Sequence, residues 1–202
     1  MTGNPFLDPF SEQGYWKLDP PRPVVPTPAA MTENPRGRRI LIGLPGLGWR
    51  GDLRADEKVI QGSRTYVPIM PESEWYRAES ERTEVFAALV PIDQVWVEDL
   101  GVSAPVDSAM MLAHTGLFSL DQPPRRLPRQ ASQAASMTGQ RVVRLLDDGG
   151  EQRDLRATTE LYANESGDIC ARVALEPEWY RWSRNGRVPQ TLEVPAELLW
   201  IE

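Results

Sequence analysis

Cysteine and histidine are almost missing from this chain of 202 residues, which holds one of each, Cys170 and His114. One cysteine excludes an intramolecular disulfide and any multi-cysteine metal cluster. The pair together cannot supply a His- or Cys-based zinc site. Lysine is nearly as scarce, since Lys17 and Lys58 stand against an otherwise all-arginine complement within the 22 basic residues. No apolar run reaches the length of about 18 residues that a membrane-spanning helix needs. The N-terminus lacks the basic, apolar, small-residue order of a signal peptide. A lone thiol, no span and no signal together lead to the expectation of a cytoplasmic protein without a cofactor. Positive charge is also short overall, the formal net charge being −7. Acidic character disfavours general binding to a phosphate backbone, which relies on clustered Lys and Arg, and suits a basic protein partner.

What is present is a duplication. Residues from Gly37 to Glu98 and from Gly139 to Glu202 align as two copies of one unit. Asp52-Leu53-Arg54-Ala55 matches Asp154-Leu155-Arg156-Ala157, Glu74-Trp75-Tyr76-Arg77 matches Glu178-Trp179-Tyr180-Arg181, and Trp96-Val97-Glu98 matches Trp200-Ile201-Glu202. Internal repetition fixes architecture before any other feature does. It divides the chain into a proline-rich arm over 1–36, a first repeat over 37–99, a helix plus linker over 100–138 and a second repeat over 139–202. Units this small are only marginally stabilised by their own cores, so the copies are expected to pack against each other or against a partner.

Within each unit the patterns are those of short strands. Arg39 to Leu44 and Arg141 to Leu146 are apolar-rich and end in Gly-containing turns. A returning strand runs through the Asp-Leu-Arg-Ala element to Val59-Ile60 or Leu161-Tyr162. Third strands are expected over Thr65 to Met70 and Ile169 to Leu175, with Ile169, Ala171, Val173 and Leu175 pointing inward by alternation. The segments opening with Pro71 and Glu176-Pro177 place proline and acidic residues where a helix begins, and read as short helices. A strand ending in Val-Pro, a tight turn and a last strand close each unit. The fold class is therefore mainly β, a tandem duplication of a small barrel or sheet unit. Its layout resembles that of SH3-like small barrels. Between the units, Asp107 to Gly116 reads as a capped helix. The arm holds eight prolines in 36 residues, together with Phe6, Phe10, Tyr15 and Trp16, and is expected to be extended.

Catalytic patterns are poor. His114 lies outside both repeats, and Cys170 sits in an alternating apolar strand as a small core residue. The glycines of Gly43 to Gly48 lack the Gly-Lys-Ser/Thr ending and the ordered spacing of phosphate-binding loops. Asp52 with Arg54, and Asp154 with Arg156, are read as ion pairs on one strand face. Trp96 and Trp200 are assigned to the cores. Trp, Tyr and Arg dominate binding hot spots, so the partner-binding candidates are Trp75, Tyr76 and Arg77 in the first copy and Trp179, Tyr180, Arg181 and Trp182 in the second, with Trp49, which occurs only in the first. Core packing is the competing role for the same aromatics. The resulting expectation is a non-enzymatic protein-binding factor, in its most concrete form an acidic inhibitor or immunity-type protein that neutralises a basic bacterial toxin. Two alternatives stand beside it. One is a nucleic-acid-binding tandem barrel using exposed aromatics and the basic run Arg125-Arg126-Leu127-Pro128-Arg129. The other is a hydrolase built on carboxylates such as Glu176 and Glu178.

Overall fold

Each half of the chain builds its own seven-stranded antiparallel sheet in the computed structural model, which describes residues 19–44, 47–101 and 123–202. The first sheet contains β1 (Val24–Pro28), β2 (Arg39–Leu44), β3 (Gly48–Ala55), β4 (Val59–Gln61), β5 (Arg64–Pro71), β6 (Ala88–Pro91) and β7 (Val95–Leu100), with helix α1 (Glu72–Glu81) between β5 and β6. The second contains β8 (Arg129–Gln130), β9 (Arg141–Leu145), β10 (Glu151–Ala157), β11 (Tyr162–Ala163), β12 (Ile169–Leu175), β13 (Leu192–Pro195) and β14 (Leu199–Ile201), with α2 (Glu176–Asn185) between β12 and β13. The strand order is β1-β7-β2-β3-β5-β4 with β6 also on β5, and β8-β14-β9-β10-β12-β11 with β13 also on β12. The duplication seen in the sequence is therefore a duplication of fold. β6 and β7 are not paired with one another among the described residues, so the likeness to SH3-like barrels remains one of layout.

The repeat begins earlier than Gly37. β1 lies inside the proline-rich arm and pairs with β7, Thr27 opposite Val97. Pro26 and Pro28 are tolerated because β1 lies at the end of the strand path, where missing N–H groups disturb no central ladder. In the second copy the matching strand is β8, within the expected linker, paired with β14. The boundaries drawn at residues 37 and 139 thus cut off one strand from each sheet. The expected helix over Asp107 to Gly116, His114 and the aromatics Phe6, Phe10, Tyr15 and Trp16 lie outside the described residues.

Two small cores result. Ile40, Leu53, Ala55, Val67, Val95 and Val97 fill the first, and Val142, Leu155, Ala157, Ala171, Val173, Val194 and Leu199 fill the second. A single 3-10 turn, Ile92–Gln94 or Ala196–Leu198, follows each Val-Pro and leads into the last strand. Two expectations fail on burial. Ile169 and Leu175 are exposed by 51% and 47%, since they sit at the two ends of β12, where only the central Ala171 and Val173 lie over the core. Trp96 and Trp200 are half-buried and belong to neither core; their strands turn Val97 and Ile201 inward instead. The returning strand is also divided: β3 stops at Ala55, and β4 starts again at Val59.

The Asp-Leu-Arg-Ala elements are not regular strand. Asp52 and Asp154 have φ of 55° and 57°, in the left-handed region, and the register between β2 and β3 and between β9 and β10 shifts next to them. This is a β-bulge, and Asp is among the few side chains that occupy that backbone region readily. Leu53 and Leu155, exposed by only 3% each, then turn into the cores. The helices follow directly on β5 and β12, carry Glu72 and Glu74 or Glu176 and Glu178 in the first turn, and end on a left-handed residue, Arg82 or Gly186.

Candidate functional site

Each helix buries a glutamate most deeply of all its residues, Glu72 at 1% exposure and Glu176 at 0%. An isolated carboxylate in such a place would be strongly destabilising, so its partners decide the architecture. They come from both copies. Arg54 Nε lies 3.1 Å from Glu72 of its own unit, and its Nη2 lies 3.1 Å from Glu176 of the other. Arg156 repeats this with Nε 3.2 Å from Glu176 and Nη2 3.3 Å from Glu72. The Tyr76 hydroxyl donates to Glu176 at 3.1 Å and the Tyr180 hydroxyl to Glu72 at 2.9 Å. These hydroxyls in turn accept from Arg54 at 2.6 Å and from Arg156 at 2.7 Å. The two tyrosine rings stack with centroids 5.4 Å apart. Every contact in this set has a counterpart with the copies exchanged, which is the signature of a pseudo-two-fold axis within one chain.

The aspartates of the bulges complete the exchange. Asp52 lies 3.2 Å from both Arg156 and Arg141 of the second copy, and Asp154 lies 3.6 Å from Arg54 and 3.9 Å from Arg39 of the first. The ion pair expected between Asp52 and Arg54 on one strand face is not formed. At a left-handed bulge the alternation of a strand is lost, so the two side chains no longer share a face.

Around this centre the symmetry breaks. Arg141 reaches Glu176 at 2.6 Å and also pairs with Glu72. Its counterpart Arg39 turns to Glu202 at 2.5 Å. Glu202 is met as well by Arg153 at 2.5 Å, and the first copy has Gly51 at the position of Arg153. Glu98, the counterpart of Glu202, is met by Arg126 from the connecting segment and lies 3.9 Å from Arg39. Both Glu98 oxygens are buried without a directed hydrogen bond. Arg153 extends the set to Glu151 at 2.9 Å, and Glu151 binds the backbone N–H of Arg22 at 2.7 Å. Seven arginines (22, 39, 54, 126, 141, 153, 156) are thereby joined to seven carboxylates (52, 72, 98, 151, 154, 176, 202).

The protonation states follow from position. Burial pushes the Glu176 carboxyl up, but Arg141, Arg156 and Arg39 outweigh it and hold the group below the usual carboxylate range. Glu202 is lowered in the same way, burial being overcome by Arg39, Arg141 and Arg153. Glu98 goes the other way: burial raises it, and Arg126, Arg39 and Arg141 do not compensate. Tyr76 and Tyr180 are raised by burial and then by Glu176 and Glu72 respectively, so both hydroxyls keep their protons and remain donors.

The residues singled out from the sequence are placed as follows. Tyr76 and Tyr180 lie on the pseudo-dyad and are engaged by the other copy. Trp75 packs over Gly37 and Trp179 over Gly139, where an added Cβ would sit 3.4 Å and 3.6 Å from the indoles. Trp179 also stands against Arg156 at 5.1 Å. Trp49 meets Trp96 edge to face at 6.4 Å. Arg77 pairs with Glu74 at 2.7 Å, while Arg181 stands between two grooves. One, between the helices, holds about 10 Å³ and is lined by Ser73, Tyr76, Arg77, Pro177, Tyr180 and Arg181 among others. The second, beside Arg187 and Val188, opens to about 380 Å³. Trp182 is half-buried on α2. The structure thus brings Tyr76, Tyr180 and Trp179 into one network and leaves Trp49 away from it, on β3.

Sequence reasoning missed the acidic and basic frame itself: Glu72, Arg39, Arg141, Glu98 and Glu202. Their signal was present, because each is a charge repeated at the same place in both copies next to apolar residues. Among the described residues no three His, Cys, Asp or Glu side chains are grouped as a metal would need, and no helix is long and apolar enough to cross a membrane. Comparison with protein-family models, curated proteins and solved structures returns no match for this chain.

Proposed function

We propose that this chain is a non-enzymatic protein-binding factor, an acidic inhibitor or immunity-type protein whose partner presents a basic surface. The observation that carries this reading is the use made of the repeated charges. Joined by Arg22, Arg126, Arg153 and Glu151, which do not recur, they form a set of seven arginines and seven carboxylates that holds one copy on the other. Because the network is balanced, the net −7 of the chain resides entirely outside it. Exposed carboxylates with no ion pair among the described residues include Glu79, Glu84, Asp93, Asp147, Glu165, Asp168 and Glu197. A two-unit body with its acidic excess outside the internal network is suited to electrostatic steering of a basic partner. The basic run considered for nucleic acid is reduced, because Arg126 is committed to Glu98.

The test is affinity capture with the full chain at low salt, followed by reconstitution of the captured protein and measurement of association at rising ionic strength. A stoichiometric partner whose association rate falls with salt supports the reading. Failure to recover a stoichiometric partner, together with a salt-dependent gel shift on oligonucleotides, would overturn it.

A further inference from the structure

The two copies differ most usefully at one sheet edge. Among the described residues β6 is bonded on one side only, to β5. Asp56 N donates to the carbonyl of Pro68 at 2.8 Å, so the main chain of Pro68 faces the β3 side. By antiparallel alternation Val67 and Ile69 then exchange hydrogen bonds with Val90 and Ala88. Leu89, opposite Pro68, therefore turns its N–H and C=O away from the sheet. In the second copy Thr158 N donates to Arg172 O at 2.8 Å, and Glu193 is the residue opposite Arg172. The geometry of the two edges is the same and their chemistry is not.

Leading into and along the first edge run six apolar residues, Val85-Phe86-Ala87-Ala88-Leu89-Val90, of which Ala88 to Val90 lie in the strand, with Phe86 exposed by 88% and Leu89 by 43%. The second copy has Pro189-Gln190-Thr191-Leu192-Glu193-Val194 there, and Tyr162 and Asn164 hold the Glu193 carboxylate. Proline and charge are the means by which sheets guard an edge against added strands. Both strands end on a proline, Pro91 and Pro195; ahead of it the second copy has a further proline and a charge, and the first has neither. Acidic residues frame the unguarded edge: Glu84 before it, Asp93 after it, and Glu79 on α1. Glu74 and Glu81 are taken by Arg77 and Arg184, whereas these three are exposed and have no ion pair among the described residues. Arg82 is the one cation in that stretch of chain.

We propose that β6 receives an extended basic segment of a partner protein as an added strand. Main-chain bonds form to Leu89, alternate apolar side chains cover Phe86 and Leu89, and arginine or lysine side chains meet Glu84 and Asp93. This assigns a surface to the protein-binding reading and rests on it.

The probe is a labelled peptide of about eight residues alternating valine and arginine, titrated into the full chain by fluorescence anisotropy. Beside it run a valine–glutamate peptide and a valine–arginine peptide with every amide N-methylated. The basic peptide binds, and each control binds about tenfold or more weakly. The double variant Phe86→Gln with Leu89→Glu carries the residues that the second copy has at Gln190 and Glu193. It keeps the wild-type melting temperature and loses about tenfold or more in affinity for the basic peptide. Equal binding by this variant overturns the edge assignment, as does equal binding of the N-methylated peptide. A dimer seen by sedimentation, abolished in the variant and unmoved by the peptide, also overturns it, the edge then belonging to a second copy. A captured partner that binds the variant as tightly as the wild type refutes the edge alone and leaves the protein-binding reading standing.

Discussion

Glu176→Gln is the most informative perturbation of the interface between the copies. The side chain is fully buried and is contacted by Arg141 at 2.6 Å, Arg156 at 3.2 Å, Arg54 at 3.1 Å and the Tyr76 hydroxyl at 3.1 Å. Glutamine keeps the volume, removes the charge and turns an amide N–H₂ toward arginine donors. Removing one member of a buried ion set leaves the others uncompensated, which costs about 3–5 kcal/mol. With a urea slope of about 2–3 kcal/mol per molar, the unfolding midpoint falls by about 1–2 M. The pH dependence gives a second reading. The folded carboxyl is held below its unfolded value, so its stabilisation is present above about pH 4.3 and is lost as pH falls through the lower folded value. The variant lacks this component, and the gap between wild type and variant therefore narrows on acidification. Because Glu72 shares Arg141 and Arg156 with Glu176, the double variant with Glu72→Gln departs from additivity by about 1 kcal/mol or more. Equilibrium urea unfolding followed by tryptophan fluorescence measures all three. A cost under about 1 kcal/mol, the range of an exposed pair, would show that the network does not hold the copies together.

The counterparts Glu98 and Glu202 are expected to differ: Glu202→Gln lowers stability at pH 7 by about 2 kcal/mol or more and Glu98→Gln by about 1 kcal/mol at most. The sign follows from their shifts, since the raised Glu98 contributes below its unfolded value and loses that contribution as pH rises, while the lowered Glu202 does the reverse; equal urea midpoints for the two variants would refute the distinction. At the bulge, Asp52→Asn keeps a residue suited to φ of 55° and Asp52→Ala does not, so alanine is the more destabilising by about 1 kcal/mol, measured by thermal unfolding. Tyr180→Phe removes the donor to Glu72 and the acceptor for Arg156, and costs about 1–3 kcal/mol in the same assay; an unchanged melting temperature would place the hydroxyl outside the network.

Much of the fold was readable because it rests on local chemistry. Arg39 to Leu44 forms a strand over the expected residues, and Ile169 to Leu175 does so too, since their apolar, β-branched composition suits a covered sheet. The short helices after Pro71 and Leu175 follow from proline and acidic residues at their starts. The aromatics were harder to place. Alternation predicted Ile169 and Leu175 inside, yet burial depends on where a strand end lies relative to the rest of the sheet. Tyr76 and Tyr180 looked like partner-binding residues because an amphipathic aromatic beside arginine has the same composition at an internal interface as at an external one.

The sequence by itself determined that there are two copies, that each is mainly β, and which charged residues recur in both. Repetition, periodicity and turn chemistry are properties of neighbours along the chain and need no third dimension to be read. Only the tertiary structure decided that the copies face each other across a pseudo-dyad. It alone showed that Asp52 answers Arg156 and not Arg54, and that Glu72 and Glu176 are buried between the halves. Those facts depend on residues 100 or so positions apart meeting within about 3 Å, a distance fixed by the packing of one sheet unit on another. The same holds for β6, whose apolar sequence was visible but whose unguarded edge appears only once the strand order is known.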